Sequence, residues 1–76
     1  MEDNKIIQLY FNRSEQAIVE TERKYKSMLF SISYRILKNK MDVEECLNDA
    51  YLTAWKTIPP QNPNPLTTYL IRIVRN

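Results

Sequence analysis

The placement of glycine and proline limits what this chain can fold into more than any other feature. The sequence has no glycine, and its four prolines all lie between positions 59 and 65. These two residues are the usual signals for turns and for breaks in regular structure. Their absence elsewhere predicts an all-α protein made of long helices, with one break that is stiffened by proline.

The apolar residues predict a single domain over residues 1–76, built as a compact three- to four-helix bundle. They recur at steps of three and four residues, which is the spacing of one helix face. The predicted helices span about 5–12, 15–37, 42–57 and 65–76, with a proline-rich loop at 58–64. The pattern still runs at Asn76, so we expect the last helix to be truncated. A chain of this length buries a small core, and we expect its stability to be marginal.

Three polar positions have the form of helix caps. Ser14 precedes the second apolar stripe and is the expected N-cap there, since its hydroxyl can accept from free amides of the first turn. Asp42 and Glu45 have the spacing of a capping box. Asn64 followed by Pro65 has the form of an N-cap and a first helical residue.

Catalytic and metal-binding roles are not expected. The chain has no histidine, no glycine-rich loop and one cysteine, Cys46, which excludes ordinary zinc sites and disulfides. The acids at the start of the third helix are interpreted as charges that complement the helix dipole. No apolar run approaches the roughly 18 residues of a membrane span. We therefore expect a cytoplasmic protein that is not an enzyme and has no cofactor.

The charges divide unevenly along the chain. Residues 1–40 carry a net charge of +3, residues 41–58 carry −3, and residues 59–76 carry +2. An acidic middle between basic flanks suggests one basic partner and one anionic partner. The alternative is that these charges belong to ordinary solvated helix faces.

The third helix carries a candidate docking patch on its outer face. At 100° per residue, Leu52 lies opposite the apolar stripe and is surrounded by Glu45, Asn48 and Asp49. An exposed leucine among acids and an amide would suit a basic helical partner. The alternative is an isolated surface leucine, which is common in soluble proteins. Trp55 lies at the edge of the stripe, and we expect it to pack between the second and third helices.

The fourth helix carries a candidate nucleic-acid surface. Arg72 and Arg75 share its outer face, and Tyr69 and Asn76 lie on the flank. Arginines can pair with phosphates, a ring can stack on a base, and an amide can bond a base edge. The alternative is a solvated face on which the tyrosine ring is half-buried.

The residues of these two faces resemble a known family. The run from Tyr34 to Trp55, YRILKNKMDVEECLNDAYLTAW, resembles the second conserved region of bacterial RNA polymerase sigma factors, and in particular the extracytoplasmic-function type. The tail from Tyr69 to Asn76, YLIRIVRN, is similar to the family's next motif, aromatic-Leu-x-x-Ile-x-Arg-Asn. Between them, the Pro-Pro-Gln-x-Pro stretch at 59–63 stands where that family has a connecting loop. The likeness covers nearly the whole chain.

The resemblance implies a domain that binds core RNA polymerase and melts the promoter minus-ten element. It implies docking on the coiled coil of the largest polymerase subunit through Glu45, Asn48 and Asp49, on the face centred on Leu52. It also implies contacts with the non-template strand of promoter DNA, from Gln61, Asn62, Asn64, Tyr69, Arg72, Arg75 and Asn76. Two departures from the family are visible. Asn48 replaces the usual glutamine, and the loop is richer in proline. The alternative function is a helical protein–protein module bound by a regulator such as an anti-sigma factor.

Overall fold

The computed structural model describes all 76 residues, and they form four α-helices. Helix α1 spans Asp3–Phe11, α2 spans Gln16–Leu37, α3 spans Lys40–Thr57 and α4 spans Leu66–Arg75. The all-helical class predicted from the sequence is confirmed. The observed helix bounds differ from the expected ones by at most two residues. No helix combines the length and the apolar character that a membrane crossing would require.

Helix α2 is the centre of the bundle. It packs against each of the other three helices, and α3 and α4 also pack against each other. The apolar stripe of every helix faces inward, so the core draws on all four. Its fully enclosed apolar side chains are Ile6, Tyr10, Ala17, Leu29, Val43, Ala54, Ile58 and Leu70. The Tyr10 hydroxyl, although buried, pairs with the Thr21 hydroxyl at 2.7 Å, so that α1 and α2 share one satisfied polar contact.

Two turns in the left-handed backbone region join the first three helices. Arg13 has φ 55° between α1 and α2, and Lys38 has φ 56° at the end of α2. The left-handed region costs a residue with a Cβ roughly 1–2 kcal/mol, and a chain without glycine has to bear that cost. The Lys38 amide donates to the Tyr34 carbonyl at 2.8 Å, which closes the last turn of α2.

The helix caps differ from those expected. The Ser14 hydroxyl does accept from the Gln16 amide, at 3.3 Å, but Glu15 occupies the N-cap position of α2. The predicted capping box of Asp42 and Glu45 is wrong. Helix α3 begins two residues earlier than expected, and the Asn39 side chain accepts from the Asp42 amide at 3.1 Å. Asp42 therefore lies inside the first turn, where its own amide is the group that needs a partner.

The cap expected at the start of α4 is also wrong. Pro65 is the N-cap of α4, with extended backbone angles and no side-chain hydrogen bond to the helix. Leu66, not Pro65, is the first helical residue. The Asn64 side chain instead lines a cleft between the loop and α1.

Trp55 is half-buried against the core, and its ring has two neighbours that the sequence did not predict. Its ring lies 6.4 Å from that of Tyr10 in α1, at a tilt of 49°, and the Arg13 guanidinium covers the indole at 3.7 Å. These two ring contacts come from α1 and the turn that follows it. Trp55 therefore joins α3 to the N-terminal part of the chain.

Candidate functional site

The outer face of α3 is exposed and its acids are unpaired. Glu45, Asn48, Asp49 and Leu52 are all exposed, and Leu52 retains 48% of its surface. Asn48 and Asp49 lie three and four residues after Glu45, and Leu52 lies three residues after Asp49, which places all four on one side of the helix. The only ion pairs in the chain are Arg23–Glu20 and Lys24–Asp3. Glu45 and Asp49, the two acids of this face, are therefore free to meet a basic partner.

This face is a ridge between two grooves. A cavity of about 510 Å³ lies between α3 and the ends of α2 and α4, and Glu45 and Asp49 line it. A second cavity, of about 540 Å³, lies between α2 and α3, and Asn48 lines that one. The structure therefore directs the two acids to one groove and the amide to the other. The sequence predicted the common face but not the grooves beside it.

Each groove contains a buried hydroxyl that has no hydrogen-bond partner. The Ser33 hydroxyl lies in the acid-lined groove, and the Tyr51 hydroxyl lies in the groove beside Asn48. Burial raises the pKa of Tyr51 to about 12, and the nearby Glu22 adds to the effect. An unpaired buried hydroxyl costs about 1–3 kcal/mol. Sequence reasoning missed both groups, since each falls on a stripe of mainly apolar residues.

Helix α4 presents two unpaired arginines. Arg72, Arg75 and Asn76 are exposed, and neither arginine forms an ion pair. Arg75 and Asn76 also line the acid-lined groove with Glu45 and Asp49, although no salt bridge forms across it. The end of α4 is therefore next to the outer face of α3, which the sequence did not predict.

The Tyr69 ring of α4 is half-buried, and its hydroxyl is already engaged. This hydroxyl donates to the Thr57 hydroxyl at 2.7 Å, at the end of α3. The bond ties the two helices together on either side of the proline-rich loop. Tyr69 therefore has a structural role, and only part of its ring is left accessible for stacking.

The proline-rich loop is held at its start by Arg13. The Arg13 Nη1 atom donates to the carbonyls of Trp55 and Ile58, at 2.9 and 3.0 Å. These carbonyls belong to the C-terminal end of α3, where backbone acceptors lack helical partners. The loop residues Gln61, Asn62 and Asn64 are exposed. Sequence reasoning missed Arg13, because its partners lie 42 and 45 residues along the chain.

The loop and α1 enclose a cleft of about 430 Å³. Asn62 and Asn64 line it from the loop, but Gln61 does not. The opposite wall is formed by α1 and includes Asn4 and Gln8. The only signal in the sequence for this wall is the pair of amides at positions 4 and 8, which the four-residue spacing puts on one helix face.

A hydrogen-bond network around Asp3 holds the rim of this cleft. The Tyr25 hydroxyl donates to the Asp3 carboxylate at 2.6 Å and Lys24 donates at 2.8 Å, while Thr67 of α4 donates to the Tyr25 oxygen at 3.2 Å. Burial by itself raises the pKa of Asp3, but the hydrogen bonds from Lys24 and Tyr25 outweigh it and lower that pKa. The network joins the starts of α1 and α4 to the middle of α2.

The two surfaces adjoin where Arg75 and Asn76 line the acid-lined groove, and they diverge toward the loop. Asp49 on the ridge and Ile58 at the start of the loop are about 14 Å apart along α3, at 1.5 Å per residue. No three acidic or cysteine side chains come together in a way that could hold a metal ion. The arrangement offers acids and an apolar side chain on one surface, and cations and amides on the other. It is suited to binding two chemically different partners.

Comparison with known families bears on both surfaces. Residues 23–76 match the family model described as Sigma-70 region 2. The match includes the ridge, the proline-rich loop and α4, whereas α1 and the turn with Arg13 lie outside it. No curated protein and no solved structure matches the chain.

Proposed function

The chain belongs to the sigma-70 region 2 family. From that membership we propose which partner each of its two surfaces binds in transcription initiation. The family has a role in RNA polymerase binding and promoter recognition. Under the proposal, α3 docks on the coiled coil of the largest polymerase subunit. The loop and α4 then hold the melted non-template strand of the minus-ten element. The run from Tyr34 to Trp55 further supports assignment to the extracytoplasmic-function type.

The docking part of the proposal is supported by the chemistry of the ridge. Glu45 and Asp49 are exposed and unpaired, and Leu52 stands out between them and Asn48. A basic coiled coil supplies cations for the acids and an apolar stripe for the leucine. Complementary charge of this kind steers encounter and sets the register of the partners.

The strand-holding part is supported by the unpaired cations of α4 and the amides of the loop. Arg72 and Arg75 are free to contact phosphates, and Asn62 and Asn64 face a cleft. A surface that binds only the separated strand shifts the equilibrium between closed and open promoter toward the open form. Promoter opening by this domain then needs no chemical step.

The observation that carries the proposal is the pair of unpaired acids on the exposed α3 ridge within the family-matched region. The test is charge reversal at the ridge, with Asp49→Lys compared with Glu2→Lys in the full-length protein. Loss of one charge partner across such an interface typically costs about 2–5 kcal/mol. We expect Asp49→Lys to lower affinity for core polymerase at least tenfold, with Glu2→Lys binding as the parent does. Equal affinity of the two variants would remove the ridge from the docking surface.

A second function is supported by exposed apolar residues near the acid-lined groove. Ile36 and Leu37 line that groove while 57% and 41% exposed, and Met41, at the start of α3, is 79% exposed. Such residues suit a protein partner, so the domain can also serve as a module held by a regulator such as an anti-sigma factor. Promoter opening distinguishes the two functions. If the full-length protein binds polymerase but opens no promoter, the result would favour the function as a regulator-bound module.

A further inference from the structure

The acid-lined groove contains a carboxylate that the proposed docking ridge does not use. Asp42 lines this groove of about 510 Å³ together with Glu45 and Asp49, and none of the three forms an ion pair. The only cation among the lining residues is Arg75, so their side chains carry three negative charges and one positive charge. The groove is therefore suited to a positively charged occupant.

The groove also contains a buried hydroxyl that differs from others in the bundle. The hydroxyls of Thr21, Thr53 and Thr57 each donate to the carbonyl four residues earlier, at 2.8 or 2.9 Å. Serine inside a helix can make the same bond. Ser33 does not make it, although the residue is only 1% exposed, and Ser33 lines the groove. Its oxygen can therefore accept a hydrogen bond from an occupant of the groove.

The walls of the groove are apolar. Ile36 and Leu37 line it from α2, and Ile73 and Val74 line it from α4. A hydrated inorganic ion gains nothing from such walls, whereas burial of each methylene group of an organic ligand is favourable. A flexible aliphatic chain can lie on apolar surface while its ammonium group reaches a carboxylate. An aliphatic amine combines the two features that the groove calls for.

The spacing of the carboxylates narrows the choice of amine. Asp42, Glu45 and Asp49 lie on one side of α3, with steps of about 4.5 and 6 Å along the helix axis. The amino groups of spermidine are separated by three and by four methylene groups, and the extended lengths of these two links are similar to the two steps. Each ammonium group of such a ligand can therefore face its own carboxylate.

We propose that the acid-lined groove is a binding site for a linear polyamine of the spermidine class. The ammonium groups face Asp42, Glu45 and Asp49, and one of them also donates to the Ser33 hydroxyl. The methylene chain packs on the apolar walls. This binding does not depend on the proposed function, but one consequence rests on it. Because Glu45 and Asp49 also belong to the proposed docking ridge, a bound polyamine competes with core polymerase for these two carboxylates.

The test is isothermal titration calorimetry of the full-length protein without polymerase, with spermidine as the probe. Asp42→Asn and Ser33→Ala alter the groove but leave the proposed docking ridge unchanged. Glu44→Gln is the matched control, because Glu44 is an exposed acid two residues after Asp42 that lines the other groove. Magnesium chloride at equal charge concentration is the competitor that measures attraction to net charge alone. Circular dichroism checks that the variants keep their helices.

We expect one spermidine to bind per chain, and magnesium not to displace it. Asp42→Asn should lower the affinity about fivefold and Ser33→Ala about threefold, the scale of one charged and one neutral hydrogen bond near a surface. Glu44→Gln should bind as the parent does. The inference is overturned by a lack of saturable binding, or by unchanged affinity in both groove variants. Equal losses in Asp42→Asn and Glu44→Gln also overturn it, as does displacement by magnesium.

A second titration separates this inference from the proposed function. Spermidine should weaken the binding of the parent to core polymerase, and it should weaken the binding of Asp42→Asn less, since Asp42 lies in the groove but not in the docking ridge. An equal effect of spermidine on both proteins overturns the competition and assigns the effect to the polymerase. If spermidine binds as expected but the parent does not bind polymerase, the proposed function has failed and the polyamine site stands.

Discussion

The guanidinium of Arg13 covers the indole of Trp55 at 3.7 Å and at the same time bonds the carbonyls of Trp55 and Ile58. One side chain from the turn after α1 thus caps α3 and shields the ring at its end. The proline-rich loop leaves α3 directly after this contact. Arg13 thereby binds the backbone at the point where the loop begins, although it lies outside the family-matched residues.

Removing this contact should destabilise the fold. We expect Arg13→Ala to lower the free energy of unfolding by about 1–2 kcal/mol, from two partly exposed hydrogen bonds and one cation–π contact. Arg13→Lys should retain only a part of this stabilisation, since the lysine ammonium group cannot reproduce the planar fork of guanidinium donors. Urea unfolding measures both. The control is Arg23→Ala, whose side chain is exposed and pairs only with Glu20. Equal losses for Arg13→Ala and Arg23→Ala would contradict a special role for Arg13.

The Asp3 network should make stability depend on pH. The pKa of Asp3 is lowered below its ordinary value of 3.8 by Lys24 and Tyr25, against the opposing effect of burial. A lowered pKa means that the unfolded chain binds the proton more readily. The contribution of Asp3 is then fully present above about pH 4 and is lost as pH falls through its folded pKa.

We expect Asp3→Asn to be less stable than the parent at pH 7 and to approach it at low pH. Tyr25→Phe, which removes one donor to Asp3, should show a weaker form of the same convergence. Thermal unfolding between acid and neutral pH measures the effect. A difference between parent and Asp3→Asn that stays constant with pH would show that the carboxylate charge contributes nothing.

The unpaired Tyr51 hydroxyl should lower the free energy of unfolding of the isolated domain. Because it is buried with no partner, Tyr51→Phe should leave the free energy of unfolding unchanged or raise it by about 1 kcal/mol. Ser33→Ala provides the matched test in the other groove. A loss above about 1 kcal/mol in both variants would mean that these hydroxyls have partners in solution.

Tyr51 should also reduce stability at alkaline pH. Burial raises its pKa from 10.0 to about 12, so the unfolded chain releases this proton first. Below pH 10 the Tyr51 hydroxyl is neutral in both the folded and the unfolded chain, so it adds no pH dependence to the free energy of unfolding. As pH rises from there through the folded pKa, ionisation in the unfolded chain lowers the free energy of unfolding. The free energy of unfolding of the parent should therefore fall between pH 10 and 12, and Tyr51→Phe should show a smaller decline over that interval.

The arginines of α4 should act through charge and not through base identity. We expect Arg72→Ala to weaken binding of the full-length protein with polymerase to non-template oligonucleotides of every sequence alike. Each lost phosphate contact should reduce the slope of log affinity against log salt by about 0.7 on a single strand. Arg75→Ala should reduce the slope in the same way, since Arg75 is also exposed and without an ion pair. Unchanged salt slopes in both variants would assign these arginines to another role.

Much of this architecture could be read from the sequence. The lack of glycine and the apolar repeat at three and four residues determine that the chain is helical. They also determine which side of each helix is buried, since a helix that hides its apolar stripe must expose the opposite side. For this reason the sequence alone predicts one outward face that contains Glu45, Asn48, Asp49 and Leu52.

Only the tertiary structure decided what each face meets. Asn4 lies across a cleft from Asn62, and Arg13 covers Trp55, although each pair is widely separated along the chain. Helical periodicity predicts which side of a helix is buried. It does not predict which helix packs against that side, or at what distance. The capping errors at Asp42 and Asn64 have a related cause, because several nearby polar residues could serve locally as a cap. Neither side chain caps its helix in the folded chain: Asp42 lines the acid-lined groove, and Asn64 lines the cleft.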